Sequence, residues 1–292
     1  SGDLGQNIIL NQAIDLVAFT GSLHTAKEIH KYLSLKPGKI IPLIAETGGL
    51  NAMIVDSSAL LERACDDIMR SAFNSAGQRC SALRLLLVHE EVYSELLLLL
   101  KGAMKDLTIG LPDELDTDVG PIITLDATKK LKQYLTKMES RGHFLFQALN
   151  KNVPSKGPWL VPTLIELKLE SMPSEEQFGP ILHVASFSED TLIDSLKQIN
   201  AKGFALTFGI HTRIDAKALD IAKQTSSGNI YINRDIVGAV VETQPFGGKN
   251  LSGSGFKAGG PNYLLQFMDE RVTTVNTVAI GGNIDLINLN DG

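Results

Sequence analysis

The chain has 292 residues, enough for one large domain or two modest ones. Its net charge of −6 comes without a Lys/Arg block or basic stripe, which argues against a nucleic-acid partner. The leucine run at 96–100 is closed off by Glu95 and Lys101, far short of the roughly 20 apolar residues of a spanning helix, so no membrane span is expected.

Residues 16–19 read as a buried strand, Thr20-Gly21-Ser22 as a turn and residues 25–33 as a helix. A strand, a Gly/Ser turn and a helix aim backbone N–H groups at an anion, although one such turn does not by itself identify a phosphate site. Residues 39–44 read as a second strand that runs into Ala45-Glu46-Thr47-Gly48-Gly49, and 52–55 as a third. Ser57 or Ser58 is expected to cap the next helix, in which Leu61, Ala64, Cys65, Ile68 and Ala72 recur at helical spacing. That helix ends near Ser71, the chain turns at Gly77, and Cys80 stands just before a strand at 83–88.

A helix at 91–107, a loop at 110–121 and a helix at 125–138 follow. Residues 143–147 suggest a short strand, 150–158 a loop, and 159–166 a mixed strand region. After Pro173 come a strand at 181–187, a helix at 191–201, a strand at 205–209, a helix at 215–225 and a strand at 229–233. The alternation predicts an α/β fold with a mostly parallel sheet and helices on both faces. Residues 234–260 are glycine-rich and without period, as in an ordered loop crossing a site. A short helix is expected at 261–268, and a strand at 271–278, exposed or pairing with a neighbour.

Two residues carry chemistry. Cys65 lies on an apolar helical stripe and reads as core, whereas Cys80 lies on a turn where a small molecule can reach it. Cys80 reads as a nucleophile or as a small buried hydrophobe, and only its thiolate attacks. Glu46 follows a strand at the carboxyl end of a sheet, where open α/β folds place their sites. It reads as a base that takes a proton from water, or as a solvated loop carboxylate. The six histidines read as structural or surface residues, and neither cysteine belongs to a metal spacing, so no metal is expected. Two cysteines in so long a chain fit a reducing, cytoplasmic compartment. The start, Ser1-Gly2-Asp3-Leu4-Gly5, has no initiator Met and carries no secretory pattern, and the chain reads as a piece of something longer.

The runs Phe19-Thr20-Gly21-Ser22, Glu46-Thr47-Gly48-Gly49, Gly77-Gln78-Arg79-Cys80, Glu176-Gln177-Phe178-Gly179-Pro180 and Pro245-Phe246-Gly247-Gly248 stand in the order and spacing of the aldehyde dehydrogenase superfamily. The chain resembles that superfamily over about 19–260. In finer wording, the segments at 77–84, 233–241, 257–261 and 279–282 resemble the L-glutamate γ-semialdehyde dehydrogenase part of the bifunctional proline utilization A enzymes.

The resemblance implies an NAD-dependent oxidation of L-glutamate γ-semialdehyde to L-glutamate. Cys80 forms a thiohemiacetal and then a thioester, Glu46 activates the hydrolytic water, and the Cys80 N–H serves as an oxyanion donor. It implies that Ser22 faces the cofactor pyrophosphate, Thr47 and Gly48 line the nicotinamide pocket, and Glu176 holds the ribose with Phe178 beside it. It further implies that Ser81, Gly238 and Ala239 bind the α-carboxylate and that Phe246 packs on the aliphatic chain. The domains expected are a remnant of a Rossmann-like NAD domain at 1–45, a thiol-bearing catalytic domain at 46–262 and a tail at 263–292 suited to homo-oligomerisation.

An FAD-dependent proline dehydrogenase domain upstream in the same full-length chain is the partner implied. The superfamily's cofactor domain lies mostly ahead of the Phe-Thr-Gly-Ser turn, and here only residues 1–18 precede it. The second oxyanion donor and the adenine-ribose lysine are therefore expected outside this chain, which alone is expected to be inactive. The competing readings are an aldehyde dehydrogenase of another specificity and a non-catalytic folding or association module.

Overall fold

The computed structural model describes residues 5, 7–9, 11, 13–147, 153, 154, 156–240, 242–276 and 279. Its centre is a seven-stranded sheet in the order β10-β9-β3-β4-β7-β6-β5. The strands are β3 (Ala52–Val55), β4 (Leu85–His89), β5 (Phe144–Gln147), β6 (Thr163–Glu166), β7 (Ile181–Phe187), β9 (Thr207–His211) and β10 (Asn229–Ile232). All pairs are parallel except β5 with β6, an antiparallel strand at one edge.

Alternate residues of the strands feed two separate cores, as the period of two requires. Met53, Val55, Leu86 and Val88 pack with Ile68, Leu96 and Leu131, which come from helices α2 (Leu61–Phe73), α3 (Glu90–Asp106) and α4 (Leu125–Ser140). Ala52, Ile54, Leu85 and Leu87 pack on the other face with Leu196 and Ile221, from α5 (Leu192–Ala201) and α6 (Asp215–Gln224). Both faces of a parallel sheet are thus covered, and its strands read as nearly continuous apolar runs.

A smaller unit precedes this sheet. Strand β1 (Val17–Thr20), helix α1 (Leu23–Leu35) and strand β2 (Leu43–Glu46) form a βαβ turn whose two strands pair in parallel, with Thr20 opposite Glu46. It has its own core of Ile9, Ile29, Leu33 and Ile41. A two-residue pair, β8 (Phe204–Ala205) with β11 (Lys249–Asn250), ties the glycine-rich segment back to the main sheet.

Several expectations shift. The second strand begins and ends later than 39–44, so that Glu46 is its last residue. Neither Ser57 nor Ser58 caps α2; the N-cap is Leu60, with no side-chain bond. Ser58 is drawn instead to Asp56, whose Oδ2 accepts from its N–H and Oγ and from the Thr212 hydroxyl, while Lys217 Nζ donates to Oδ1 at 2.6 Å. Burial opposes the Asp56 charge, but Lys217 and these donors outweigh it and hold the carboxyl well below the usual carboxylate range.

The expected helix at 261–268 is a 3-10 turn, Tyr263–Phe267. Residues 271–276 are exposed and form no strand; the rest of that expected strand, with residues 148–152 and 241, lies outside the described residues.

Candidate active site

Helix α2 delivers Cys80 through an unusual reversal. Ser75, Ala76 and Gly77 all lie in the left-handed region, with φ of 55°, 52° and 64°. L side chains enter that region at a cost of roughly 1–2 kcal/mol per residue, so surrounding contacts must hold the turn. At position 77 a Cβ would also lie 2.3 Å from the carbonyl oxygen of Gly179. Beyond the reversal, the buried Asn51 carboxamide fixes the strand entry. Its Nδ2 donates to the carbonyls of Cys80 (2.7 Å) and Ala82 (2.8 Å), and its Oδ1 accepts from the Thr207 N–H (3.1 Å).

The Cys80 thiol is half-buried. Burial pushes it above the ordinary thiol value, and the charges of Glu176 and Glu46 push the same way. The N–H groups of Ser81 and of Cys80 itself face the sulfur and oppose that shift. Cys65 is sealed in the core, as expected, and burial raises it to about 11.

Cys80 and Glu46 open onto one cavity of about 840 Å³. Glu46 closes β2, so the edge of the small unit presents it to the thiol of the large one. Its Oε2 accepts from the Gly248 N–H at 3.1 Å. A Cβ at Gly253 or Gly247 would stand 2.9 or 3.0 Å from the carboxylate, so the acid lies directly against backbone. Burial raises Glu46 to about 7, against the opposing pull of Gly248 and Lys257. A carboxyl near neutrality suits a general base. The glycine-rich segment therefore does cross the site: Thr47 Oγ1 donates to the Leu251 carbonyl at 2.6 Å and Ser254 Oγ accepts from the Ala45 N–H at 3.0 Å.

Thr47, Gly48, Glu176 and Phe178 line the same cavity, as does the start of α1. Ser22 is the N-cap of that helix and accepts from the Thr25 N–H at 3.1 Å. The first N–H groups of a helix have no acceptor within it and point at whatever lies ahead, here the cavity. Gly48 admits no side chain, since a Cβ would come within 1.7 Å of Glu176 Oε2.

Sequence reasoning passed over several residues. Arg84 is fully buried; its Nη2 and Nε donate to Glu176 Oε1 at 2.9 and 3.2 Å, and Nη1 donates to the Gly179 carbonyl at 3.0 Å. The guanidinium also lies 5.4 Å from the Phe178 ring centre. A lone charge inside the apolar run 82–88 was its signal, because a buried charge needs a partner. His24 and Lys27 line the cavity from α1, where His24 is exposed, within the structural-or-surface reading of the histidines. His183 does play such a role, meeting the Tyr134 hydroxyl at 2.7 Å and the Arg84 carbonyl at 2.9 Å.

The three residues expected at a substrate carboxylate, and Phe246, expected on its aliphatic chain, are not among those that line this cavity. Ser81 is buried behind Cys80. Gly238 has a φ of 73° with open space around it, and Ala239 follows it. Phe246 is half-buried and pairs with Ala258 by two backbone hydrogen bonds. The segment carrying Gly238 is anchored to α2 through the Ile236 N–H, which donates to Ser71 Oγ at 3.1 Å.

The Aldehyde dehydrogenase family profile matches residues 1–273. The chain is 44% identical over 272 residues to the bifunctional protein PutA of Escherichia coli (strain K12), covering 90% of this chain and 21% of that protein. It is 33% identical to the 1-pyrroline-5-carboxylate dehydrogenase of Bacillus subtilis (strain 168), covering 93% of this chain and 53% of the relative. Among solved structures it superposes on a bifunctional proline utilization A protein with a TM-score of 0.90 at 44% identity, covering 96% of this chain and 28% of that one. It also superposes on a 1-pyrroline-5-carboxylate dehydrogenase from Thermus with bound NAD, with a TM-score of 0.82 at 30% identity, covering 92% and 52%. The chain thus spans about a fifth of its bifunctional curated relatives and about half of the single-function ones.

Proposed function

The chain belongs to the aldehyde dehydrogenase family, and on that premise we propose that it serves the NAD-dependent oxidation of L-glutamate γ-semialdehyde to L-glutamate. The observation that carries this reading is the convergence of Cys80 and Glu46 on one cavity that the N-terminus of α1 also faces. A helix N-terminus fits a pyrophosphate. With Thr47, Gly48, Glu176 and Phe178 on the adjoining wall, these residues suit a dinucleotide: Ser22 and the first turn of α1 toward its phosphates, Glu176 toward a ribose. NAD, when bound, supplies the hydride acceptor.

The chain's own residues do the rest. The Cys80 thiolate adds to the aldehyde carbon and the Cys80 N–H receives the developing oxyanion. Loss of hydride from that carbon leaves a thioester on the sulfur. Glu46 then takes a proton from water, whose oxygen attacks the thioester carbonyl, and the Cys80 thiolate leaves as the acid is released. The family relatives named PutA are bifunctional, which supports a linked FAD-dependent proline dehydrogenase as the source of the semialdehyde. Ser81, Gly238, Ala239 and Phe246 are proposed for the α-carboxylate and chain of the substrate. The exposed Leu264, Leu265 and Val272 support a homo-oligomer.

The test is NADH formation from L-glutamate γ-semialdehyde by the full-length protein. Glu46→Gln is expected to release one NADH per site and then turn over about 10²–10⁴-fold more slowly, since only hydrolysis needs the base. Cys80→Ala is expected to give no NADH at all, and turnover at the parent rate would sink the proposal. Preference for simple aliphatic aldehydes over the semialdehyde would transfer the protein to another specificity within the family.

A further inference from the structure

Beside Glu46, and outside the lining of the cavity, lies a cation that the mechanism above does not use. Lys257 Nζ donates to the Gly247 carbonyl at 2.6 Å and to Asn229 Oδ1 at 3.1 Å. The same Asn229 accepts from the Gly247 N–H at 3.2 Å through Oδ1 and donates to the Pro245 carbonyl at 2.9 Å through Nδ2. The ammonium is thus clamped under residues 245–247, and the next N–H in the chain, that of Gly248, is the donor to Glu46. The closeness has a geometric measure. The point where a Gly247 Cβ would stand is 3.0 Å from Glu46 Oε1 and 3.3 Å from Lys257 Cα.

We propose that Lys257 is the positioning residue for the hydrolytic base: its fixed ammonium holds the Gly247-Gly248 turn against Glu46 and sets a positive charge behind the carboxylate. The inference rests on Glu46 being that base. The two groups act on each other. Burial raises Glu46 and Lys257 pulls it back; burial and Lys249 lower Lys257, and Glu46 pulls it up. The other ionisable groups about the site are Cys80 from the nucleophile turn, uncharged once acylated, Glu175, Glu176, His24 and Lys27 on the cavity wall, and Lys249 beside Lys257. Glu176 is neutralised by Arg84. Lys257 is therefore the cation set nearest the base on the protein side. An opposite charge nearby favours the ionised form of a carboxylate.

The experiment needs no cofactor. p-Nitrophenyl acetate acylates Cys80 and releases nitrophenolate, and water then cleaves the acetyl thioester with Glu46 as base. In the full-length protein the burst counts folded reactive sites, and the steady-state rate per site, followed from about pH 5.5 to 9, reports deacylation alone. Lys257→Gln keeps two N–H donors but no charge, and Lys257→Arg keeps the charge. In Lys257→Gln the midpoint of the rising limb is expected to move up by about one unit, so that deacylation at pH 6 falls about tenfold while the high-pH plateau survives. In Lys257→Arg the midpoint is expected to stay with the parent. An unmoved midpoint in Lys257→Gln, or an equal shift in both variants, overturns the proposal. Glu46→Gln deacylating with the parent's pH profile would instead remove Glu46 as the base and leave the nucleophile reading untouched.

Discussion

In the proposed mechanism Glu46 ties catalysis to stability at a single residue. Its carboxyl is held near 7 in the folded chain against an ordinary value of 4.5. The folded state therefore favours the protonated form. Stability from this group is fully present below about pH 4.5 and is lost as pH rises through about 7. Glu46→Gln removes that loss, so the thermal midpoint of the variant is expected to pull ahead of the parent's between about pH 5 and 7 and hold a constant lead above. A lead that shrinks with rising pH would contradict the burial of this acid. Iodoacetamide should label Cys80 well before Cys65, since only the former reaches the cavity; equal rates would favour an inert thiol. Arg84→Met leaves Glu176 buried without its cation and is expected to cost about 3–5 kcal/mol in urea unfolding. That Glu46 and Cys80 share a cavity could be anticipated because Gly48-Gly49 and Gly77 mark a break in the chain close to each. Asn51 and Arg84 were not singled out, because their partners, Thr207 and Glu176, lie 156 and 92 positions away.

Among the elements, the reversal at 74–77 decides where the thiol points. Gly77→Ala would place a methyl against the Gly179 carbonyl in a left-handed conformation. A loss of about 2–4 kcal/mol, seen by denaturant unfolding, is expected together with slower Cys80 alkylation. The period of α2 and the apolar strands could be read directly, because burial on one face writes itself into spacing. Its cap could not be read. Ser58 has the right chemistry at the right distance, yet Asp56 captures it and so joins β3, β9 and α6 into one polar joint. Strand boundaries at β2 were misplaced for a related reason: Glu46 is a charged residue that pairs in a sheet because glycine backbone shelters it.

Across the whole molecule, the parallel sheet with both faces covered followed from the alternation of strands and helices, whereas the order of its strands did not, since pairing between distant segments leaves no local mark. The βαβ unit at the start has a far smaller core than the main sheet. Native-state hydrogen exchange is therefore expected to show β1, α1 and β2 opening well below the free energy that exposes β3, β4 and β7. Uniform protection across both would mean that the two units unfold as one. On the proposed reading, this division falls between the two reactive groups. In the proposed mechanism, acylation asks only that the Cys80 sulfur be in place, whereas hydrolysis asks that the Glu46 carboxylate at the end of β2 and a thioester beyond α2 be in register across the seam between the two units. The second half of the proposed reaction is thus a gauge of how firmly the two units are held together. Conditions that loosen the seam without melting either side should leave the protein able to capture an aldehyde yet slow to let the acid go.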